Sequence, residues 1–308
     1  MDLMGHEKKC PLCGSKESLT AAERVRDYEY GAPGTYEWLR CKSCSLIRLW
    51  PVPTDDVLNA AYPETYHAFV RSNSTITQTL IRISRQKMAA RIAGLLPPGG
   101  TLLDVGCSTG ELLFEVGKLG SYKLLGTEYK KEAATAARAR GIHVWEGDLA
   151  DITGIASASI DVIIMQHVLE HVFDPVVTLQ KIHGLLKPGG CVLGELPNFE
   201  SWDARLFGRY WGGGHAPRHL WHFTPETLKN TIRHCGLEVV AIRPALHTGH
   251  WALSFQNLFR RNRRDLDGLK SGRSWYYPLL LLAAVPINCL QMLIHRTGIM
   301  RFEARRPA

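Results

Sequence analysis

Three groups of residues in this chain have the types and the spacing to do chemistry. The first is the run Leu102-Leu103-Asp104-Val105-Gly106-Cys107-Ser108-Thr109-Gly110, an apolar strand that breaks into a glycine-rich turn and opens a helix at Glu111. Gly106 and Gly110 let backbone approach a ligand closely, and the free N–H groups of the helix start face the same crevice. Ser at position 108 breaks the G-x-G-x-x-G of dinucleotide sites, and no G-K-[ST] follows to cradle a triphosphate. The second group is histidine-rich: Gln166-His167-Val168-Leu169-Glu170-His171, and His215, Arg218, His219 and His222 within the aromatic, glycine-containing run 211–226. Histidine is the side chain best suited to taking a proton near neutral pH. The third is Cys10-Pro11-Leu12-Cys13 with Cys41-Lys42-Ser43-Cys44, two C-x-x-C knuckles that can present four thiolates to one tetrahedral ion.

The elements that must position these groups are legible as alternating strands and helices. A second strand over 124–128 ends in Glu128, placed to accept both hydroxyls of a ribose. A third over 142–145 ends in Gly147-Asp148, and a fourth over 160–165 ends in Gln166-His167. Leu186-Lys187-Pro188-Gly189-Gly190 precedes a fifth strand, 237–242 reads as a sixth, and 299–304 as a last strand antiparallel beside it. Residues 76–96 carry apolar Ile76, Leu80, Ile83, Ala90 and Ile92 among basic residues and predict an amphipathic helix before Pro97-Pro98-Gly99-Gly100.

Taken together, these motifs over residues 95–243 resemble the class I S-adenosylmethionine-dependent methyltransferases. The resemblance implies an α/β, Rossmann-like class I methyltransferase fold, with a mostly parallel seven-stranded sheet whose last strand is antiparallel. It also implies S-adenosyl-L-methionine as cofactor, with Asp104, Gly106, Ser108 and Gly110 lining its methionine and ribose end, Glu128 on the ribose diol and Asp148 on the adenine amino group. Leu149 then covers the ring, Tyr129 packs on the purine, and Gln166 completes the cofactor-binding set. Similar proteins carry a P-R-H-L-x-H-F-T-like run where 217–224 stands, which brings Arg218, His219 and His222 into the catalytic region. For a proton acceptor we rank His219 first, then His167, with His222 the third candidate.

The cysteine pattern predicts a small N-terminal zinc ribbon over 1–55 with a structural Zn held by Cys10, Cys13, Cys41 and Cys44. Strand-like segments at 28–30 and 36–39 would form its hairpin. A disulfide pairing is the alternative, disfavoured because the polar residues 1–9 show no signal peptide and imply the reducing cytoplasm. Cys107, Cys191, Cys235 and Cys289 share no ligand spacing and predict buried apolar positions. Residues 56–98 read as a linker with the amphipathic helix, beginning with a Pro-punctuated strap through Tyr62-Pro63-Glu64-Thr65-Tyr66. Residues 99–308 read as the methyltransferase domain, with a basic, apolar insertion over 258–296 and an acceptor loop over 199–224, in which the glycines at 212–214 predict mobility and Trp202, Tyr210, Trp211 and Trp221 open faces for a sugar or aromatic ring. Ribbon, strap and core together resemble a methyltransferase family associated with glycan modification.

The formal net charge of +8 permits a polyanionic partner without requiring one. Within 258–296, Arg260, Arg261, Arg263, Arg264, Lys270 and Arg273 precede Trp275-Tyr276-Tyr277 and a long apolar run interrupted by Pro278 and Pro286. This composition predicts peripheral contact with the inner face of a membrane, with packing into a homodimer as the other use of the same surface. The expected activity is O-methylation of a saccharide, lipid-linked or other small-molecule acceptor in the cytoplasm. The alternatives are an RNA methyltransferase that grips phosphates with ribbon and charge, which we disfavour, and an inactive ribbon-based interaction module. No N-P-P-Y motif follows the fourth strand, and no nucleophilic cysteine stands there for pyrimidine chemistry.

Overall fold

Alternating apolar runs become one seven-stranded sheet in a computed structural model of the chain, which describes residues 9–63, 75–262, 269–270 and 272–308. Glu64, Thr65 and Tyr66 of the expected strap and Arg263 and Arg264 of the basic cluster lie outside the described residues. In chain order the elements are β1 (Ser18–Val25), β2 (Tyr36–Cys41), β3 (Ile47–Trp50), α1 (Asp55–Ala60), α2 (Thr75–Ala93), β4 (Thr101–Val105), α3 (Glu111–Gly117), β5 (Lys123–Glu128), α4 (Lys131–Arg138), β6 (His143–Glu146), β7 (Ile160–Gln166) and α5 (Pro175–Leu185). They continue with β8 (Leu186–Pro197), α6 (Trp202–Phe207), β9 (Trp221–His222), α7 (Pro225–His234), β10 (Glu238–Ala245), α8 (Gly249–Phe259), β11 (Leu269–Lys270), β12 (Arg273–Ser274), α9 (Tyr277–Ala283), α10 (Val285–Leu293) and β13 (Ile299–Arg305).

The sheet runs in the order β10-β13-β8-β7-β4-β5-β6. β4 pairs in parallel with β5 and β7, β5 with β6, and β7 with β8. Cross-strand bonds join Gly189 and Gly190 to Arg306 at one end and Asn198 to Gly298 at the other, so β13 runs against β8. This is the Rossmann-like methyltransferase architecture expected from the sequence, with its carboxyl-terminal strand ends on one edge.

The described chain separates into two compact units. One unit comprises residues 72–195, 231–241 and 302–308. Its core gathers Leu102, Leu113, Val116, Ala134, Ala137, Val162 and Ile164 with Ile92 of α2. The amphipathic helix is present, but only its last turns are inward: Ala89 and Ile92 are buried whereas Leu80 and Ile83 stay exposed. Gly194 of β8 sits directly under the Phe302 ring of β13, where an added Cβ would come within 2.1 Å of the ring.

The other unit comprises residues 1–71, 196–230 and 242–301. Its antiparallel sheet has the order β1-β2-β3-β9, so the short strand at Trp221 and His222 extends the N-terminal hairpin. The hairpin is built from β1 and β2, and Tyr28, Glu29 and Tyr30, expected as strand, are not. The reason is local: the Asp27 carboxylate accepts the backbone N–H groups of Glu29, Tyr30 and Ala32, which folds this segment into a side-chain-capped turn. The glycines at 212–214 also differ from expectation. All three are buried, with Leu253, Trp211 and Trp38 so near that an added Cβ would sit 2.4 Å from each. They serve close packing, and Trp211 and Trp221 are buried instead of offering open faces.

Gly194→Ala is expected to destabilise the chain by about 1–3 kcal/mol through overpacking against Phe302. A lowered thermal midpoint in calorimetry, with the cofactor affinity retained, is the check.

Candidate active site

In the unit that holds β4 to β7, the chain leaves β4 through three residues with positive φ: Gly106 at 72°, Ser108 at 50° and Gly110 at 74°. A Cβ at Gly106 would meet Val168 at 2.9 Å, and one at Gly110 would meet Ile142 at 2.5 Å and Ala137 at 3.0 Å. Gly110 therefore lets α3 start tight against α4 and the chain entering β6. The turn is pinned by the Gly106 and Cys107 N–H groups, each donating to the Thr127 carbonyl at 2.9 Å.

Glu128, at the end of β5, accepts the Ser108 N–H on Oε2 at 2.8 Å and the Lys130 N–H on Oε1 at 2.9 Å. Two backbone donors fix the carboxylate plane, and an ionised carboxylate still has lone pairs for two hydroxyls. Asp104 is buried one strand away, and burial, then the Glu128 charge, push its carboxyl well above the ordinary range. Two acids in this relation favour a positively charged ligand. Asp148 accepts the Ala150 N–H at 2.9 Å, and burial raises its carboxyl too. Leu149 is buried, Tyr129 is exposed and Gln166 is half-buried.

At the end of β7, His167 takes φ 53°, an uncommon conformation for a side-chain-bearing residue. Its Nδ1 lies 3.2 Å from Glu170 Oε1 and its Nε2 3.5 Å from Glu195 Oε1. Burial opposes a charge on the ring, but the hydrogen bonds and charges of Glu170 and Glu195 outweigh it and lift the imidazole to about 10. His167 is thus a protonated donor at neutral pH. His171 follows in a turn, and the next helix starts only at Pro175, capped by Asp174. Glu195 went unnoticed in the sequence, where its signal was one acid inside the otherwise apolar strand Cys191-Val192-Leu193-Gly194-Glu195-Leu196.

In the other unit, Arg218 is fully buried and forks onto Asp27, Nη1 to Oδ2 at 2.9 Å and Nη2 to Oδ1 at 3.1 Å, with Nη1 also donating to the Ala61 carbonyl. Glu29 meets His215 at 2.8 Å and Arg273 at 2.6 Å. Burial opposes ionisation of Glu29, yet the charges of His215 and Arg273 hold its carboxyl well below the usual range. Arg218 is thereby a brace of this unit. Breaking such a pair strands a buried charge. Asp27, Glu29 and Arg273 were not singled out together from sequence because they lie some 190 to 250 residues apart along the chain from their partners.

The two remaining proton-acceptor candidates, His219 and His222, are buried in this unit. His219 Nδ1 lies 2.9 Å from the Gly213 carbonyl, which can only accept, so Nδ1 carries a hydrogen. His222 sits among the rings of Trp38, Phe199 and Trp211. Burial, with the His215 charge second, pulls it down to about 3, so it stays neutral.

The four knuckle sulfurs all lie within 4.8 Å of one another, with Cys10–Cys44 and Cys13–Cys41 at 3.5 Å. Both knuckles share one backbone design. The Gly14 N–H donates to the Cys10 carbonyl and the Ser45 N–H to the Cys41 carbonyl, and Gly14 and Ser45 both take positive φ. Of the other cysteines, Cys107, Cys191 and Cys235 are buried as expected, whereas Cys289 is exposed on α10.

A seven-stranded Rossmann-like sheet whose last strand runs antiparallel is the fold of the class I methyltransferases. The sequence pattern described as "Methyltransferase domain" matches residues 80–242, and the chain belongs to that family. It is an S-adenosylmethionine-dependent methyltransferase. Similar proteins include ubiquinone biosynthesis O-methyltransferases of Cereibacter sphaeroides, 29% identical over 52% of this chain and 70% of that one, and of Ruegeria pomeroyi, 31% identical over 46% and 61%. A solved structure described as a sarcosine dimethylglycine methyltransferase of Galdieria sulphuraria shares the fold, with TM-score 0.51 and 14% identity over 73% of this chain and 86% of that one.

The folded-state value of His167 lies above the unfolded value of about 6.5. The stability its ion pairs add is therefore complete below about pH 6.5 and lost as pH climbs through about 10. The side chain is 44% exposed, so solvent screening keeps the gain modest. The urea midpoints of wild type and His167→Gln should differ most near pH 6 and converge above about pH 10. A gap independent of pH would remove the carboxylate pair as its cause.

Proposed function

We propose that this methyltransferase transfers methyl to an oxygen of a small-molecule, saccharide or lipid-linked acceptor. The observation that carries the cofactor half is Glu128, fixed by the Ser108 and Lys130 N–H groups beside the left-handed turn at Gly106. S-adenosylmethionine, when bound, supplies a methyl group on a positively charged sulfur, already activated toward a nucleophile. Glu128 would hold the ribose hydroxyls, and Asp104, Gly106, Ser108 and Gly110 the methionine and ribose end. Asp148 and Leu149 would take the adenine, with Tyr129 on its face and Gln166 alongside. The raised carboxyl of Asp104 fits a cationic guest, because a positive charge relieves the mutual cost of two neighbouring acids.

An alcohol acceptor must lose its proton as the new bond forms. Environment separates the three histidines on offer. His167 already carries a proton at neutral pH, and His222, held at about 3, takes one poorly. His219 holds a hydrogen on Nδ1 against Gly213 and is the group we assign as proton acceptor. His167 then acts as a fixed cation and donor. Oxygen as the methylated atom is supported by the names of the two ubiquinone biosynthesis O-methyltransferases.

The Cys10, Cys13, Cys41 and Cys44 cluster supports a structural zinc in a ribbon. Bonds of about 2.3 Å in a tetrahedron put sulfurs about 3.8 Å apart, close to the spacing present. Four thiolates close the coordination shell and leave no position for catalysis.

Glu128→Ala is expected to abolish S-adenosylmethionine binding in calorimetry, while His219→Gln keeps binding and lowers turnover by about 10²–10⁴-fold. Equal loss of binding in both would overturn the division of roles, and label entering total RNA instead of a lipid or saccharide extract would overturn the acceptor class. Elemental analysis should find about one zinc per chain. Cys13→Ser should release the metal and lower the thermal midpoint, and full metal retention would refute the four-thiolate site.

A further inference from the structure

The pair α9 and α10 is inside out. In α10 the fully buried side chains are the polar ones, Asn288 and Gln291. Asn288 Oδ1 accepts the His247 N–H at 2.9 Å, and Gln291 accepts from Trp251 Nε1 at 2.7 Å while donating to Asp203 at 3.1 Å. The leucines face the other way: Leu282 is 70% exposed and Leu293 79%, with Leu279, Val285, Leu290 and Ile294 exposed around them. In α9 no side chain is fully buried, and Tyr277, Leu280 and Leu281 are half-buried. Trp275, at the entry to this pair, is 83% exposed. A water-facing surface helix has the opposite polarity, and a contiguous apolar face of this kind marks a surface whose natural neighbour is not water.

Charge identifies the neighbour. Residues 258–296 hold seven Arg and Lys against two Asp, a net of +5 out of +8 for the whole chain. Arg273 and Arg296 are engaged by Glu29 and Glu200, and Arg260 is buried, which still leaves +2 from Arg261, Arg263, Arg264 and Lys270 against the two Asp. Between Gly268 and Phe302 there is no acidic residue. No helix of the described residues is long and apolar enough to cross a bilayer. An apolar face in a basic stretch of sequence, with an exposed tryptophan at its entry, matches the interface of an anionic membrane, where acyl chains receive the leucines, headgroups the basic side chains, and the indole lies at the boundary.

We propose that the exposed face of α9 and α10, with Trp275, docks this enzyme onto an anionic lipid surface without spanning it. The inference is independent of methyl transfer, since it concerns binding to lipid alone. The test is flotation of the full chain with vesicles of phosphatidylcholine, with and without phosphatidylglycerol, for wild type and Leu282→Glu/Leu293→Glu. Both leucines point outward, so the double variant should fold and keep its cofactor affinity. The expected result is capture by the phosphatidylglycerol vesicles, weakened by added salt and reduced at least about tenfold in the variant. Absence of wild-type capture, equal capture by neutral vesicles, or undiminished capture of the variant would each overturn the proposal. So would a dimer in analytical ultracentrifugation that the variant dissolves while no vesicle binds, because the face would then belong to a second copy of the chain.

Discussion

A carboxylate drawn out of water has to be answered, and the way each one is answered organises this molecule. Inside protein an unpaired ionised acid costs far more than a fold can spare, so it is neutralised, hydrogen-bonded or paired. Glu128 is answered by two backbone donors and Asp27 by a forked arginine and three backbone N–H groups. Glu29 is answered by His215 and Arg273, and Glu170 and Glu195 by one shared imidazolium. Asp104 is left with only burial and a neighbouring acid, and its carboxyl rises. Under the proposed cofactor assignment, that is the position where a cationic guest would change the balance most.

The same logic sorts the histidines. Two side chains of one type, His167 and His222, are driven to opposite ends of the scale, about 10 and about 3, because one faces two acids and the other faces aromatic rings. Neither extreme suits a group that must accept a proton and give it up again near neutrality. Charge placement, more than residue type, decides what a histidine does here.

Polarity is also inverted where it is least expected. The unit containing β1 to β3 hides Asp203, Asn288 and Gln291 and shows Leu282 and Leu293. Each of these three hidden polar groups is hydrogen-bonded, to Trp211, Trp251 or His247 among others, while the leucines stand at the surface. A surface of that kind is explained by what it meets.

The succession of strands along the chain, the turn at 106–110 and the acid at 128 were legible from residue types, since parallel strands buried on both faces read as apolar runs and only glycine-rich turns carry the chain so tightly into a helix. The paired C-x-x-C knuckles were equally plain, because ligand spacing is a local property. What the sequence could not determine were contacts between distant segments: Asp27 with Arg218, Glu29 with Arg273, and the pairing of β3 with β9. It also misjudged Tyr28, Glu29 and Tyr30, whose strand-like composition yields to the Asp27 turn, and the glycines at 212–214, which are close-packed against Trp38, Trp211 and Leu253. Local pattern fixes which face of an element is apolar. Only the folded chain decides what that face touches, because burial and charge pairing depend on residues that sequence distance conceals.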